Sequence, residues 1–415
     1  MEKNKRIHYG WIILILAVTT VCGALGLARF GYTMILPSMK TGLSLNDAAA
    51  GDLATGNLAG YLVLALACGI LSTRFSPRLI ITFFMGLISV SMIITGLAPD
   101  FFTALAGRIL AGMGGGGTNI PVMGLVIGWF AVSRRGLAAG ITVSGSSFGL
   151  LLTGLVIPVI LEAGGEQGWR YSWFFLAAVT MLIAVMCALF LRNSPAEMGL
   201  RTCGDTSGLP VPPKGVQPSL AESFRLVYKK FEVWHLALIY TLFGFSYIIY
   251  VTFFVRYLNW EAGFTIEGAG RLWSTVGAVS IASGFIWGTF SDRAGRRYGL
   301  AAVFMLQFLC YLVFGIWKSD PGYYLSALLF SLTAWSIPAI MAAAAGDVLG
   351  AALAPAGLGF LTLFFGIGQV FGPFVAGRIA DSQGSYTMAF VVAAAASFAG
   401  GLLSLMLRIR KPVHH

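Results

Sequence analysis

The stretch LRNSPAEMGLRTCGDTSGLPVPPKGVQPSLAESFRLVYKKF, Leu191 to Phe231, is the longest polar interval in a chain of 415 residues. It carries Arg192, Arg201, Lys214, Arg225, Lys229 and Lys230, with prolines at 195, 210, 212, 213 and 218. On either side lie about six apolar segments, each near the roughly 20 residues that cross a bilayer as a helix. The chain therefore reads as two six-helix halves, 1–191 and 232–415, joined by a basic and mostly extended linker over 192–231. Function is expected between the halves.

Composition agrees with that division. Hydrophobic residues make up 57% of the chain and charged residues only 10%, with a mean hydropathy of +0.83. Soluble domains carry about 25% charged residues, so an integral membrane protein is implied. Glycine, 53 residues scattered without a triplet repeat, suits close contact between membrane helices and not collagen.

The net charge of +11 reads as topology and not as nucleic-acid binding. Of the 27 Lys and Arg, 19 fall in the N-terminus, the even-numbered junctions and the C-terminus. That bias places both termini in the cytoplasm of a bacterial inner membrane, crossed many times. The five cysteines make no close pair, so neither a disulfide framework nor a metal site is expected. The apolar run from Gly10 is too long for a cleavable leader. No His-Glu-x-x-His pattern, paired Cys and His or nucleotide loop is found, so the expectation is no enzyme, no cofactor and no catalytic residue.

Twelve helices fit the pattern, at about 10–36, 51–72, 79–97, 101–127, 136–161, 171–191, 232–258, 269–290, 299–317, 322–345, 357–377 and 386–406. The first is expected to end at Pro37, and the tenth to be interrupted by Pro338. The fold class is thus all-α, two pseudo-symmetric six-helix bundles. GILSTR from Gly69 and GTFSDR from Gly288 echo each other six helices apart. Repeated halves around a central site are the architecture of alternating-access transporters.

GTFSDRAGRR, Gly288 to Arg297, resembles the cytoplasmic-loop motif of the major facilitator superfamily, and the chain is similar to that family along its length. The resemblance implies a latching role for Gly288, Asp292, Arg293, Gly295, Arg296 and Arg297. The first-half copy has Thr73 at the usual acidic position and Ser76-Pro77 in place of a glycine region. Arg108 with Gly112 and Gly114 resembles the family's helix 4 motif. HYGWIIL from His8 and RNSPAEMGL from Arg192 are similar to bacterial monocarboxylate and oxalate–formate porters. ARFGYTMILP from Ala28, GFSYIIYVTF from Gly244 and AAGDVLG from Ala344 look more like an uncharacterised bacterial branch.

Arg29 stands inside an apolar run, where a charge usually faces a cavity or a partner. Its donor fork suits a carboxylate or sulfonate. A helix-packing arginine on backbone carbonyls is the alternative. Arg108 adds a second positive charge, for substrate or for structure. Asn119 lies 11 residues deeper, roughly 16 Å by helical rise. Asn57 and Tyr61, four apart, share a face toward a cavity or toward a neighbouring helix. Tyr240, Tyr247 and Tyr250 share a face of helix 7, with Tyr240 the least suited to contact a substrate and ordinary aromatic packing the alternative. Gln369 serves as ligand contact or interhelical bond.

All sixteen Asp and Glu fall at termini, in loops or near helix ends. The leading expectation is a secondary transporter of a small organic anion, a monocarboxylate, by proton symport or anion exchange, acting as a monomer in the lipid bilayer. The alternative is efflux of apolar or cationic compounds, which buried acids would have favoured.

Overall fold

The computed structural model describes residues 8–204 and 225–407, apart from the side chains of 69, 70, 72, 73, 132, 133, 351, 352 and 355. Lys214 and the prolines at 210, 212, 213 and 218 lie outside the described residues.

Among the described residues the chain is helical, with a single isolated bridge, Phe130 to Cys203, and no sheet. We number the passes in chain order. Helix α1 is Tyr9–Gly42, α2 Asp47–Arg74, α3 Pro77–Leu97 and α4 Phe101–Trp129. Helix α5 comprises Val132–Val143 and Gly145–Gly164, and α6 is Gly168–Phe190. Helix α7 is Phe231–Trp260, α8 comprises Ile266–Ser280 and Ser283–Ala294, and α9 is Arg296–Ile316. Helices α10, Asp320–Gly350, α11, Ala356–Gln383, and α12, Thr387–Leu405, complete the set.

Several expected boundaries move. Helix α1 runs through Pro37 to Gly42, because Pro37 costs one backbone bond in a helix whose apolar face is already buried. Helix α2 starts at Asp47, where the Asn46 side chain accepts from the Ala49 N–H at 2.8 Å. Helix α10 breaks at 334–335, four residues before Pro338, which cannot donate to the Ala334 carbonyl. The turn into α11 contains no loop. It is made at Gly350, whose φ of 75° and ψ of 164° only glycine adopts without strain. The linker is not extended throughout: Pro195–Met198 form a 3-10 turn, and residues 225–228 are helical.

The two ends of the bundle differ. We call the end that carries residues 192–204 the linker end, and the opposite one the far end. Every hydrogen bond and ion pair between the halves, among the described residues, lies at the far end or at mid-depth. Helix α2 meets α11 and α5 meets α8, through backbones in near contact. A Cβ on Gly51 would lie 2.4 Å from the Pro373 carbonyl, and one on Gly154 2.4 Å from the Gly270 carbonyl. Thr33 Oγ1 donates to the Val251 carbonyl at 2.9 Å, joining α1 to α7. At the rim, Asp47 accepts from Lys40 Nζ at 2.5 Å and from the Tyr386 hydroxyl at 2.7 Å, with Arg256 Nε at 3.8 Å. Arg378 pairs with Asp52 at 2.8 Å, and Asp381 accepts from Asn46 and from the Asp47 N–H. Asp381 and Arg378, three residues apart on α11, thus both turn to partners in the first half. The bundle is shut at the far end.

Candidate functional site

Helix α1 changes winding at mid-depth. Cys22–Phe30 form a π-helix in which Gly26 lies against Gly149 of α5. A π segment widens the turn and re-aims side chains, a feature common at functional sites. Arg29 sits in its last turn.

The Arg29 guanidinium lies over the Tyr61 ring, 4.4 Å from its centroid, and is within electrostatic reach of the Tyr247 hydroxyl. Its Nη2 is buried and has no hydrogen-bond partner. The Tyr61 hydroxyl accepts from Asn119 Nδ2 at 3.0 Å, and the Gln369 amide bonds the Tyr247 hydroxyl. Five polar side chains from α1, α2, α4, α7 and α11 are thereby gathered from both halves, with no carboxylate among them. Arg29, Tyr61 and Asn119 are partly exposed; Tyr247 and Gln369 are buried.

An aromatic wall flanks this cluster. Tyr240, Phe243 and Tyr247 of α7 lie nearly parallel to Phe365 of α11, with centroids 4.5–5.7 Å from it. Tyr240 therefore belongs with the wall, although its place near a helix end gave it the weakest sequence case. Phe365 has no polar atom to mark it in an apolar run.

The other expected site residues are placed differently. Tyr250 turns into the interior of the second half, where its hydroxyl meets Ser326 at 2.9 Å and its ring meets Tyr311, Phe314 and Phe330. The three-residue step from Tyr247 turns it by about 60° at 3.6 residues per turn, which brings it against the second half's own helices instead of the cluster. Arg108 is only 1% exposed; its Nη1 donates to the Ala28 carbonyl in the π-helix at 2.7 Å. The rings of Tyr32 and Trp173 cover it at 4.6 and 5.3 Å. Cation–π pairs of this kind are worth up to about 2 kcal/mol each when desolvated. Asn57 donates to the Arg108 carbonyl at 3.0 Å, an interhelical bond between α2 and α4.

Sequence reading missed a second layer. Helix α5 is interrupted at Ser144, α8 at 281–282 and α10 at 334–335. The breaks are tied together by hydroxyls. Ser147 and Ser280 Oγ lie 2.9 Å apart, and the Trp335 indole N–H donates to Ser147 at 2.8 Å. Trp335 also lies 5.9 Å from the Phe30 ring, beside Arg29. Small hydroxyl residues in apolar helices resemble ordinary packing until their partners are known.

In the Gly288–Arg297 turn, Arg296 donates to Asp292, to Ser291 at 2.8 Å and to Asp347 of α10 at 2.8 Å. Gly295 makes the bend at φ 101°, and Arg297 reaches Tyr298. This hub joins α8, α9 and α10 within the second half.

Two bundles that meet around a polar centre, shut at one end, define a membrane transporter. The chain belongs to the Major Facilitator Superfamily, whose model matches residues 16–354 and 261–415. It is a secondary transporter that moves a small solute by alternating access. A probable sulfoacetate transporter, SauU, of Cupriavidus necator is 23% identical over 91% of this chain and 89% of its own. The hexuronate transporter of Bacillus subtilis is 23% identical over 88% and 87%. Among solved structures, a bacterial homologue of the human lysosomal transporter Spinster, inward-facing and unoccupied, superposes with a TM-score of 0.75 at 17% identity, covering 97% of this chain and 96% of that one. The nucleoside transporter NupG superposes with a TM-score of 0.72 at 12% identity, covering 97% and 99%.

Proposed function

We propose that the protein carries a small organic anion, with Arg29 binding its carboxylate or sulfonate. The observation that carries this reading is a guanidinium at the meeting of the halves with no acid beside it. Arginine stays protonated in proteins, and a charge in the membrane interior demands a partner. An organic anion supplies that partner at each transport cycle. Tyr61, Asn119, Tyr247 and Gln369 surround it with hydroxyl and amide groups, and the Tyr240–Phe365 wall flanks the apolar remainder.

Two of the relatives are named for organic anions, sulfoacetate and hexuronate, which supports an acid-bearing substrate class. A monocarboxylate is the simplest member that one arginine neutralises. With no carboxylate in the cluster, coupling falls to the substrate itself, brought in with its own proton or exchanged for another anion. The linker end, rich in Lys and Arg, faces the cytoplasm of a bacterial inner membrane. The described state is then inward-open, and the protein works as a monomer.

The test is counterflow in proteoliposomes with lactate, pyruvate, oxalate, sulfoacetate and a hexuronate, followed by net uptake with and without an inward proton gradient. Accumulation of an acid into acid-loaded vesicles supports the reading. Net uptake driven by the proton gradient into empty vesicles identifies proton symport, and uptake only into anion-loaded vesicles identifies exchange. Movement of quaternary ammonium compounds alone would replace it with efflux.

A further inference from the structure

A second place in the molecule combines positive charge with missing partners. A small cavity between α1, α2, α4 and α7 is lined by both Arg29 and Arg108, together with Asn57, Tyr32, Thr33 and Thr252. Its free volume is ≈ 10 Å³, about the least that holds one water; a halide, being larger, needs a small outward shift of the guanidinium side chains, and an organic acid does not fit. Arg108 lies almost wholly buried, yet its Nε has no acceptor, and neither has Nη2 of Arg29.

The charges around this cavity do not balance. The two guanidiniums are within electrostatic reach of each other. Among the described residues no carboxylate pairs with either one: Asp47 is held by Lys40, Arg256 and Tyr386, and Asp52 by Arg378. The remaining polar groups are largely committed. Thr33 donates to Val251, Tyr32 donates to the Ala50 carbonyl, and the Asn57 amide nitrogen donates to Arg108. What remains beside the two unmet guanidinium donors is net positive charge, with only the neutral oxygens of Asn57 and Thr252 near it. Buried charges in proteins are paired or ligated, because an isolated one is too costly.

We propose that this cavity holds a single halide-sized monovalent anion, of the chloride class, between Arg29 and Arg108. It serves as the standing counter-ion of Arg108 and fixes the Arg29 guanidinium from behind. The opposite side of Arg29, toward Tyr61 and Tyr247, stays available to the transported anion. The cavity lies against the Thr33–Val251 contact, so the anion is held while the far end is shut and exchanges when that end opens. The site goes beyond the organic-anion reading and stands or falls separately from it.

The experiment is equilibrium binding of radioactive chloride to the purified full-length protein, with bromide or gluconate as competitor at constant ionic strength. The expected result is one saturable chloride per chain, displaced by bromide and untouched by gluconate. Arg108→Gln removes a charged partner and is expected to weaken binding about ten-fold or more. Ala54→Leu fills the same cavity with both arginines in place and is expected to do likewise. Absence of saturable chloride binding to the wild-type protein overturns the proposal and leaves a water there. Unchanged binding in either folded variant overturns the location. One-for-one displacement of chloride by an organic acid, or stabilisation by dianions alone, also overturns it, since the two arginines would then share one substrate. Chloride binding without any organic-acid binding would instead sink the organic-anion reading and leave this site standing.

Discussion

Arg29 is the residue on which the substrate reading turns. A hydrogen bond to a charged group is worth about 1.5–3 kcal/mol, so Arg29→Gln is expected to weaken organic-acid binding by roughly 10–150-fold. Arg29→Lys keeps the charge but loses the planar fork, and an intermediate loss of about ten-fold is expected. Titration calorimetry on the two variants checks both. Tyr247→Phe strands the Gln369 amide, at a cost of about 1–3 kcal/mol to stability. A lower thermal midpoint for that variant, restored in part by adding Gln369→Leu, is the expected pattern. At this scale much of the centre was legible, because a polar group in an apolar run stands out. Arg29, Tyr61, Asn119, Tyr247 and Gln369 announce themselves that way. Tyr250 announced itself equally and turned elsewhere, since spacing along one helix does not say which neighbour a face meets. Phe365, Trp335, Ser147 and Ser280 carried no such contrast.

Among the elements, the broken helices were the least legible. The π segment in α1 follows from winding that the run CGALGLARF does not signal, and it sets both the aim of Arg29 and the carbonyl that Arg108 takes. The breaks in α5, α8 and α10 are joined by the Ser147, Ser280 and Trp335 bonds, which cross between the halves. Trp335→Phe keeps the ring and removes the indole donor. It is expected to raise the exchange of linker-end backbone amides in α8 and α10, while binding changes by less than about three-fold. Hydrogen exchange read by mass spectrometry reports this. The Gly350 bend depends on its backbone conformation, so Gly350→Ala is expected to cost about 1–3 kcal/mol, measured as a fall in thermal midpoint.

For the molecule as a whole, the many-pass helical class was readable from composition, and the basic Leu191–Phe231 interval with the charge bias is what suggests two halves. The state of the bundle was not, because ion pairs such as Arg378–Asp52 join residues 326 positions apart. The far end is closed by these pairs and by backbone contacts at Gly51 and Gly154. Asp47→Asn removes the charge that Tyr386 and Arg256 of the second half face, and a bulky side chain at Gly51 blocks the contact of α2 with α11. Gly51→Leu is expected to shift the population toward a far-end-open state, while Asp47→Asn does so more weakly. Spin labels on the far-end turns, read by electron–electron distance measurements, should lengthen in that order.

The most direct test is calorimetric titration of the purified wild-type protein and Arg29→Gln with small carboxylates, sulfoacetate and bulky organic cations. The expected result is saturable binding of at least one organic acid to the wild type, lost in a variant that keeps its thermal midpoint. Binding of an acid at full strength to folded Arg29→Gln, or binding of cations alone, would contradict the assignment of this centre to an organic anion.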